Sequence, residues 1–339
     1  MTETILSIVV PTFNRAPLLK ILLDCISREL PVWPNEVELV VVDNASTDST
    51  RDVVDDAVAR GLPIRYIRND ENIGMDRNLA ACFAHARGHY FWQIGDDEVL
   101  FNGAVQHVLE ICRTEDFGIM HLASRSFVEG EQQSIFDCRL PAELDVRRTD
   151  RGTLFRRINV FLTFISANVV NRRAVLERVP AFNSSAELNT YLPQLSWIFA
   201  ALRVCEVHLD VRTPTFGALT GNTGGYRLVE VFGRNLIGIT ERHLDGHIAN
   251  ARRIMANAAL TRVIANEMRA SSRNSPGKGN RFVDEDVRSA MDRCFAGRPY
   301  YHWLVAPMVF STNRVISLAA RVGLRILNGV NRRLGYRLL

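Results

Sequence analysis

The chain has 339 residues, of which 47% are hydrophobic and 23% charged, with six cysteines and a net charge of +4. This composition is ordinary for a globular protein and excludes disordered, collagen-like and disulfide-scaffold chains. Because the cysteines form no CxxC pair, we expect reduced thiols in a cytosolic protein and no zinc site. The length predicts two domains, or one large domain with an extension.

The first 125 residues alternate short β-branched runs with amphipathic segments, a pattern typical of βαβ units and a parallel sheet. The predicted strands are Leu6–Val10, Glu38–Val42, Ile64–Ile67, His89–Ile94 and Phe117–Leu122. The predicted helices are one with Pro17 near its start, one opening in Ser46-Thr47-Asp48, Met75–Arg87 and Gly103–Arg113. A hairpin and an irregular loop are predicted for 123–150.

Signals after residue 150 are mixed. An apolar stretch covers Val160–Val170, a helix is predicted near Arg172–Arg178, and a second apolar segment covers Tyr191–Leu202. The glycine-rich Thr220–Tyr226 indicates a loop, and Ser271–Asn280 has the composition of a linker. Helical patterns dominate the remainder.

The modest net charge conceals an asymmetry along the chain. Residues 1–215 contain 22 Lys and Arg against 29 Asp and Glu, whereas residues 216–339 contain 19 against 8. Such asymmetry indicates that the C-terminal part meets an anionic surface. Aromatic stacking residues are sparse there, so we expect no nucleic acid partner.

The last segment of the chain has the pattern of an interfacial helix. Four arginines fall on nearly one line of a helical projection, with aliphatic residues broadly opposite. The arginines are Arg314, Arg321, Arg325 and Arg332, and the aliphatic residues are Val315, Ile316, Ala319, Val322, Ile326, Leu327 and Val330. This pattern predicts contact with an anionic membrane surface. The alternative is a helix that packs its apolar side on the N-terminal domain.

Polar residues follow four predicted strands, at the edge where open α/β sheets bind ligands. The four runs are Pro11–Arg15, Asp43–Asp48, Asn72–Asn78 and Gly95–Glu98. Each run alone also fits helix caps and turns. Four in succession favour one shared ligand.

The acidic run Asp96-Asp97-Glu98 is the strongest indication of chemistry. Adjacent carboxylates repel one another unless a cation neutralises them, and hard oxygen ligands suit Mg²⁺ or Mn²⁺ bridging a diphosphate. The alternative is a cap for the following helix. Arg77, at the start of a predicted helix, is placed to reach the same diphosphate or to be a surface charge.

Four segments carry a resemblance to a known family: "LSIVVPTFNRAPLL", "ELVVVDNASTDST", "NDENIGMDRNLA" and "YFWQIGDDEVL". In this order and spacing they resemble the family 2 glycosyltransferases with the GT-A fold. The GDDE run and the later "GGYRLVEVFGRN" are most similar to the abequosyltransferase-like branch, which builds bacterial surface polysaccharides. The resemblance covers about 5–101 and, more weakly, 160–235.

The resemblance implies an α/β, Rossmann-like GT-A fold with a mostly parallel central sheet and a helical C-terminal extension. Residues 1–215 would form the domain that binds the nucleotide-sugar and catalyses transfer. Residues 216–339 would form a basic helical region that contacts the acceptor and the membrane.

The resemblance and the strand-end loops together give a set of candidate nucleotide-sugar contacts. The set is Pro11, Thr12, Phe13, Arg15, Asn44, Asp43, Arg77 and Asp96. By resemblance, Asp43 would hydrogen-bond the base, Arg77 would contact the pyrophosphate, and Asp96 would face the ribose or a phosphate.

Metal binding is assigned to Asp97, the last acid of the family's D-x-D element, together with Glu98. The chain departs from the family here, because the first acid of that element is replaced by Gly95. Asp96 and Glu98 must then share the task. The expected ion is Mg²⁺ or Mn²⁺.

The family's catalytic base lies about eight residues after a phenylalanine such as Phe182, which here reaches Thr190 and Tyr191. Neither is an acid, and Glu187 is the nearest carboxylate. We therefore predict Glu187 as the base. The alternative is an exposed loop acid, or a charge in the N-cap region before a helix at Leu192.

The resemblance thus implies a metal-dependent, inverting glycosyltransferase that moves a sugar from a nucleotide-sugar to a glycan or a polyprenyl-diphosphate-linked glycan. We expect a cytoplasmic enzyme bound peripherally to the inner face of the cell membrane. A non-catalytic scaffold of the same fold is the alternative from another class. A nucleotidyltransferase is a further alternative, although Pro11–Arg15 lacks the glycines of a phosphate loop.

Overall fold

A computed structural model describes residues 3–29, 35–220, 227–271 and 286–333. The glycine-rich segment after Thr220 and the linker-like segment after Ser271 lie outside these ranges. The chain divides into two compact units. The first comprises Met1–Arg151, Leu162–Asn189 and Pro193–Asn222, and the second comprises Gly152–Phe161, Thr190–Leu192 and Thr223–Leu339.

The first unit contains a nine-stranded sheet with strand order β3-β2-β1-β4-β8-β6-β9-β5, and β7 pairs with β9. The strands are β1 (Leu6–Thr12), β2 (Val37–Asp43), β3 (Ile64–Arg68), β4 (Tyr90–Gln93), β5 (Val99–Leu100), β6 (Ile119–Phe127), β7 (Val146–Asp150), β8 (Asn168–Asn171) and β9 (Val207–Leu219). Strands β1 to β4 are parallel. β8 is antiparallel to both β4 and β6, whereas β6 and β9 are parallel. The carboxyl ends of β1, β2, β3 and β4 therefore meet at one edge.

Helices cover the parallel strands and dominate the C-terminal part. In chain order they are α1 (Ala16–Ser27), α2 (Thr50–Ala59), α3 (Met75–His85), α4 (Ala104–Thr114), α5 (Gln132–Phe136), α6 (Arg151–Ile158), α7 (Arg172–Arg178), α8 (Leu195–Val204), α9 (Leu236–Leu244), α10 (Ala251–Ala258), α11 (Ala265–Ser271), α12 (Val287–Phe295), α13 (Ala306–Phe310) and α14 (Arg314–Arg333). Three short π-helical segments lead directly into α9, α11 and α13. They are Glu230–Asn235, Ala259–Ile264 and Tyr301–Val305.

Local sequence explains where these helices begin. Pro17 stands in the first turn of α1, where its missing N–H costs no hydrogen bond. The N-terminus of α4 is capped from a distance, because the buried Glu29 carboxylate accepts the N–H groups of Gly103, Val105 and Gln106. These contacts anchor the helices that follow β1 and β5.

The sequence predicts β1 to β4 and helices α1 to α4 to within a few residues, and the structure confirms them. The hairpin predicted for 123–150 is wrong. Instead β6 continues to Phe127, the short α5 follows, and β7 pairs antiparallel with β9. Strand β9 is absent from the prediction, because its buried His208 and Asp210 break the apolar pattern.

The second unit has its own apolar core, which includes Phe295, Tyr301, Val305 and Met308. Helix α14 packs on this core through Ala320 and Leu324. Its opposite face is exposed, as described below. No helix within the described residues combines the length and apolar character needed to cross a bilayer.

Candidate functional site at the edge of the parallel strands

The end of β1 supplies the first group of predicted site residues. Thr12 is buried, whereas the Phe13 ring is 39% exposed. Asn14 adopts a positive φ of 52°, which turns the chain sharply into α1. Arg15 follows at the N-cap position of α1, and its side chain makes no cap hydrogen bond. The guanidinium of Arg15 is thereby available to the neighbouring loops.

The loop after β2 is bonded to the loop after β1. The Asn14 N–H donates to Ser46 Oγ at 2.9 Å, and the Thr47 N–H donates to Asn14 Oδ1 at 2.7 Å. Asp48 Oδ2 accepts the Ala16 N–H at 3.0 Å. These contacts hold the two loops in one arrangement, and α2 starts only at Thr50, after the predicted Ser46–Asp48 opening.

Asp43, the predicted base-recognising carboxylate, is buried at the end of β2. Its Oδ1 accepts the Ser46 N–H at 2.9 Å, and its Oδ2 accepts the Tyr66 hydroxyl at 2.5 Å. Arg68 Nε lies 3.6 Å from Oδ2. Burial first, and then the bond to the Asp43 carboxylate, raise the pKa of Tyr66, so the phenol remains a donor. Tyr66 therefore fixes the orientation of Asp43.

Asn44 joins the loops after β2 and β3. Its Oδ1 accepts from Asn69 Nδ2 and from the Ile73 N–H, both at 3.0 Å, and its Nδ2 donates to Asn72 Oδ1 at 2.7 Å. Asn44 is buried, so it shapes the site through these loops.

Helix α3 begins directly after this network. Gly74 precedes it with a φ of 84°, a conformation that favours glycine. Arg77 stands in the first turn and is exposed. An exposed guanidinium near the N-terminus of a helix is well placed to bind a phosphate.

The acidic run follows β4, next to β1 in the sheet. Asp96 is buried; its Oδ2 accepts the Thr12 hydroxyl at 2.8 Å, and its Oδ1 lies 3.0 Å from Arg15 Nη1. The same Nη1 lies 3.3 Å from Asp97 Oδ2. Burial raises the pKa of Asp96 to about 6, although the Arg15 charge opposes this shift. Thr12, Arg15, Asp96 and Asp97 thus form one cluster.

Gly95 leaves room for the acidic side chains. A Cβ at this position would lie 2.9 Å from Asp97 Oδ1 and 3.5 Å from Glu98 Oε1. The two carboxylates therefore approach the same point from one side. A side chain at position 95 would crowd this point.

Glu98 is buried, and its Oε1 accepts the Ser166 hydroxyl at 3.2 Å. Its Oε2 is buried and makes no hydrogen bond in the described part of the chain. Burial, followed by repulsion from Asp97, raises the pKa of Glu98 well above its usual range. An unpaired buried carboxylate oxygen beside a second carboxylate is consistent with the donor set of a hard cation.

The protein side chains alone do not enclose a metal ion. Within the described ranges no group of three or more His, Cys, Asp or Glu side chains has the arrangement of a metal site. Mg²⁺ is usually bound by one or two carboxylates and by substrate phosphates, so Asp97 and Glu98 fit a cation that arrives with a diphosphate.

Glu187, the predicted base, lies in the turn-rich segment between α7 and α8 and is 4% exposed. The segment contains the strained backbone of Ala181 and Asn189, with φ of 50° and 62°. Strained loops are common at functional sites. Its role as a base stays a prediction.

The sequence does not identify Tyr66 or Ser166 as site residues. Tyr66 carries a weak signal, since it stands two residues before the end of a strand that pairs with β2. Ser166 carries none, because it lies inside the apolar stretch Val160–Val170.

Comparisons with known proteins agree with this geometry. The sequence profile of glycosyl transferase family 2 matches residues 7–179, more than half of the chain. The chain therefore belongs to glycosyl transferase family 2, as the motifs predict.

Two curated relatives match part of the chain. Abequosyltransferase RfbV of Salmonella typhimurium is 38% identical over 99 residues, which are 28% of this chain and 29% of the relative. Validoxylamine A glucosyltransferase of Streptomyces hygroscopicus subsp. limoneus is 39% identical over 85 residues, 24% of this chain and 18% of the relative. The matches span less than a third of each relative's length.

Solved structures resemble nearly the whole chain. TarS residues 1–349 of S. aureus, in complex with UDP, has a TM-score of 0.61 at 17% identity and covers 98% of this chain and 92% of its own. Mannosyltransferase PcManGT of Pyrobaculum calidifontis, in complex with GDP-Man and Mn²⁺, has a TM-score of 0.52 at 17% identity, covering 96% and 88%. The predicted α/β GT-A fold with C-terminal helices is confirmed.

Proposed function

We propose that this protein is a divalent-cation-dependent, inverting glycosyltransferase of bacterial surface polysaccharide assembly, of the O-antigen or capsule type. It moves a sugar from a nucleoside diphosphate sugar to a glycan or a polyprenyl-diphosphate-linked glycan. The observation that carries this proposal is the convergence of Asp43, Asp96 and Asp97 at the carboxyl edge of the parallel strands.

The nucleotide is assigned to the loops after β1, β2 and β3. Asp43, held by Tyr66, presents a carboxylate to a base N–H, while Pro11 and Phe13 line the same pocket. Arg77 contacts the pyrophosphate from the first turn of α3. UDP and GDP-Man in the solved relatives support a nucleotide at this fold's site.

The leaving diphosphate is assigned to the acidic cluster. Asp97 and Glu98 would hold Mg²⁺ or Mn²⁺, which when bound neutralises charge that develops on the departing phosphate. Asp96, fixed by Thr12, faces the ribose or a phosphate. The Mn²⁺ in PcManGT supports this assignment.

The acceptor hydroxyl must lose a proton as it attacks the anomeric carbon from the face opposite the diphosphate. We assign this proton to the Glu187 carboxylate. The attack from the opposite face inverts the configuration at the anomeric carbon. The name of RfbV, an abequosyltransferase, supports sugar transfer as the reaction.

The acceptor and membrane contacts are assigned to residues 216–339, and catalysis to residues 1–215. Helix α14 exposes an apolar stripe in which Val315 is 75%, Leu318 63% and Ile326 61% exposed. Arg314 and Arg325 are exposed, and Arg321 is half-buried. We infer that this stripe and its arginines lie on the inner face of the cell membrane.

The test begins with the purified full-length protein and a melting screen against UDP, CDP, GDP and dTDP with Mn²⁺. We expect one nucleotide to raise the Tm, since a ligand at about 100 times its Kd adds about 2.7 kcal/mol to stability. The corresponding nucleotide-sugars should then be hydrolysed slowly, and only with Mg²⁺ or Mn²⁺.

Two variants separate the assigned roles. Asp97→Asn should abolish cation-dependent hydrolysis, and Glu187→Gln should abolish transfer while nucleotide binding persists. Glu177→Gln, which changes an exposed acid on α7, is the matched control. If no nucleotide binds and no nucleotide-sugar is hydrolysed, the protein is a scaffold of this fold.

A further inference from the structure

One nitrogen of Arg15 bridges two neighbouring carboxylates. Nη1 lies 3.0 Å from Asp96 Oδ1 and 3.3 Å from Asp97 Oδ2. The three residues come from the loops after β1 and β4, which are adjacent parallel strands. The arginine thus supplies a positive charge to this acidic pair.

The acids are held more firmly than the arginine. Asp96 is almost fully buried and is also bonded to the Thr12 hydroxyl, so its carboxylate has little freedom. The side chain of Arg15 is 39% exposed, and its backbone is held at the N-cap position of α1. Rotation of the guanidinium into solvent therefore requires no change in the fold.

A divalent cation on Asp97 must compete with this guanidinium. Both are positively charged groups that use the same carboxylates. Two positive charges held on one pair of carboxylates repel one another strongly. We propose that Arg15 is an internal counter-ion of this acidic pair that competes with the divalent cation and lowers the pair's affinity for it. The inference rests on the cation of the proposed function.

This competition has a consequence for the reaction cycle. A cation that enters with a diphosphate displaces the guanidinium and offers it a phosphate as a new partner, whereas a cation alone offers it none. Free Mg²⁺ or Mn²⁺ should therefore bind weakly, and the cation and the donor should bind together. Arg15 thus couples cation binding to donor binding. Coupling between two binding sites typically changes an affinity by about 5- to 150-fold.

The experiment measures Mn²⁺ binding to the full-length protein without nucleotide, by electron paramagnetic resonance of free Mn²⁺. Arg15→Gln should bind Mn²⁺ about tenfold more tightly than the unaltered protein, within the usual range of coupling. Lys20→Gln is the matched control, because it removes one positive charge from an exposed position of α1, where Lys20 pairs with Asp24. It should leave Mn²⁺ affinity unchanged.

A second readout covers the stability of the variants. Without Mn²⁺, Arg15→Gln should melt below the unaltered protein, since two carboxylates lose their counter-ion, and Mn²⁺ should raise its Tm more. Arg15→Lys keeps the charge and should bind Mn²⁺ with intermediate affinity, which keeps the test valid if the glutamine variant does not fold.

The outcomes separate this inference from the proposed function. If Arg15→Gln binds Mn²⁺ no more tightly than Lys20→Gln, the counter-ion role is wrong, while binding that disappears in Asp97→Asn still supports the cation site. If neither the unaltered protein nor any variant binds Mn²⁺, with or without each of UDP, CDP, GDP and dTDP, the cation of the proposed function is itself wrong.

Discussion

At the scale of single residues, Gly95 determines whether the acidic side chains can approach one another. A Cβ there would lie 2.9 Å from Asp97 Oδ1, closer than unstrained contacts allow. We expect Gly95→Ala to displace the Asp97 carboxylate and to weaken Mn²⁺ binding by about 10-fold or more, as for groups that orient metal ligands. Mn²⁺ titration of the full-length protein measures the change.

The control for this substitution is Gly297→Ala. A Cβ at Gly297 meets no atom within 4 Å, and its backbone does not require a positive φ. This variant should bind Mn²⁺ normally. If Gly95→Ala melts normally and binds Mn²⁺ with unchanged affinity, the Asp97 carboxylate does not bind the ion from the position that it has in the structure.

At the scale of elements, β6 and β9 meet α8 around a buried histidine. His208 Nδ1 accepts the Ile119 N–H at 3.1 Å, and Nε2 lies 3.1 Å from the Cys205 carbonyl oxygen. Burial lowers the pKa of His208 from 6.5 to about 4, so the folded protein holds it neutral. The unfolded chain binds the proton more readily, and stability therefore falls as the pH drops from about 6.5 to 4.

The expected loss is about 2 kcal/mol at pH 5 and about 3 kcal/mol near pH 4, at 1.36 kcal/mol per pKa unit. Urea unfolding at pH 7, 6 and 5 measures it. His208→Asn offers the Ile119 N–H an oxygen in place of Nδ1 and does not titrate, so its stability should depend less on pH. Equal pH dependence in both proteins would exclude His208 as the cause.

The two halves of the sheet differ in how far a single sequence predicts them. Strands β1 to β4 are predicted by apolar runs that end in polar loops. The sequence therefore predicts Asp43 and Asp96 at one edge of the sheet, where the structure has them. β9 escapes prediction because its polar positions are buried, and His208, for example, is bonded to the distant Ile119 N–H. The Tyr66 contact with Asp43 likewise depends on strand pairing, which a single sequence does not specify.

At the scale of the whole molecule, the charge is divided between an acidic N-terminal part and a basic C-terminal part. The acidic part contains the strand-end site, where several carboxylates are concentrated. In the basic part, α14 packs through Ala320 and Leu324 and leaves its apolar stripe exposed. An exposed apolar stripe beside arginines matches the chemistry of a lipid surface, which is the partner proposed above.

Sedimentation with vesicles tests this partner directly. The full-length protein should pellet with vesicles containing phosphatidylglycerol and remain largely in solution with phosphatidylcholine alone. The double variant Leu318→Gln with Ile326→Gln should bind at least about tenfold more weakly, because burial of each large aliphatic side chain is worth about 1.5–3 kcal/mol. Both side chains are more than half exposed, so the fold should be retained.

Charge and apolar contact contribute separately, and their variants should differ. Arg314→Gln with Arg325→Gln should weaken binding only to anionic vesicles, by about 1 kcal/mol per arginine, and high salt should remove the difference. Leu176→Gln, an exposed apolar residue on α7, is the matched control and should bind normally. If the unaltered protein stays in solution with anionic vesicles, the proposed membrane contact is wrong.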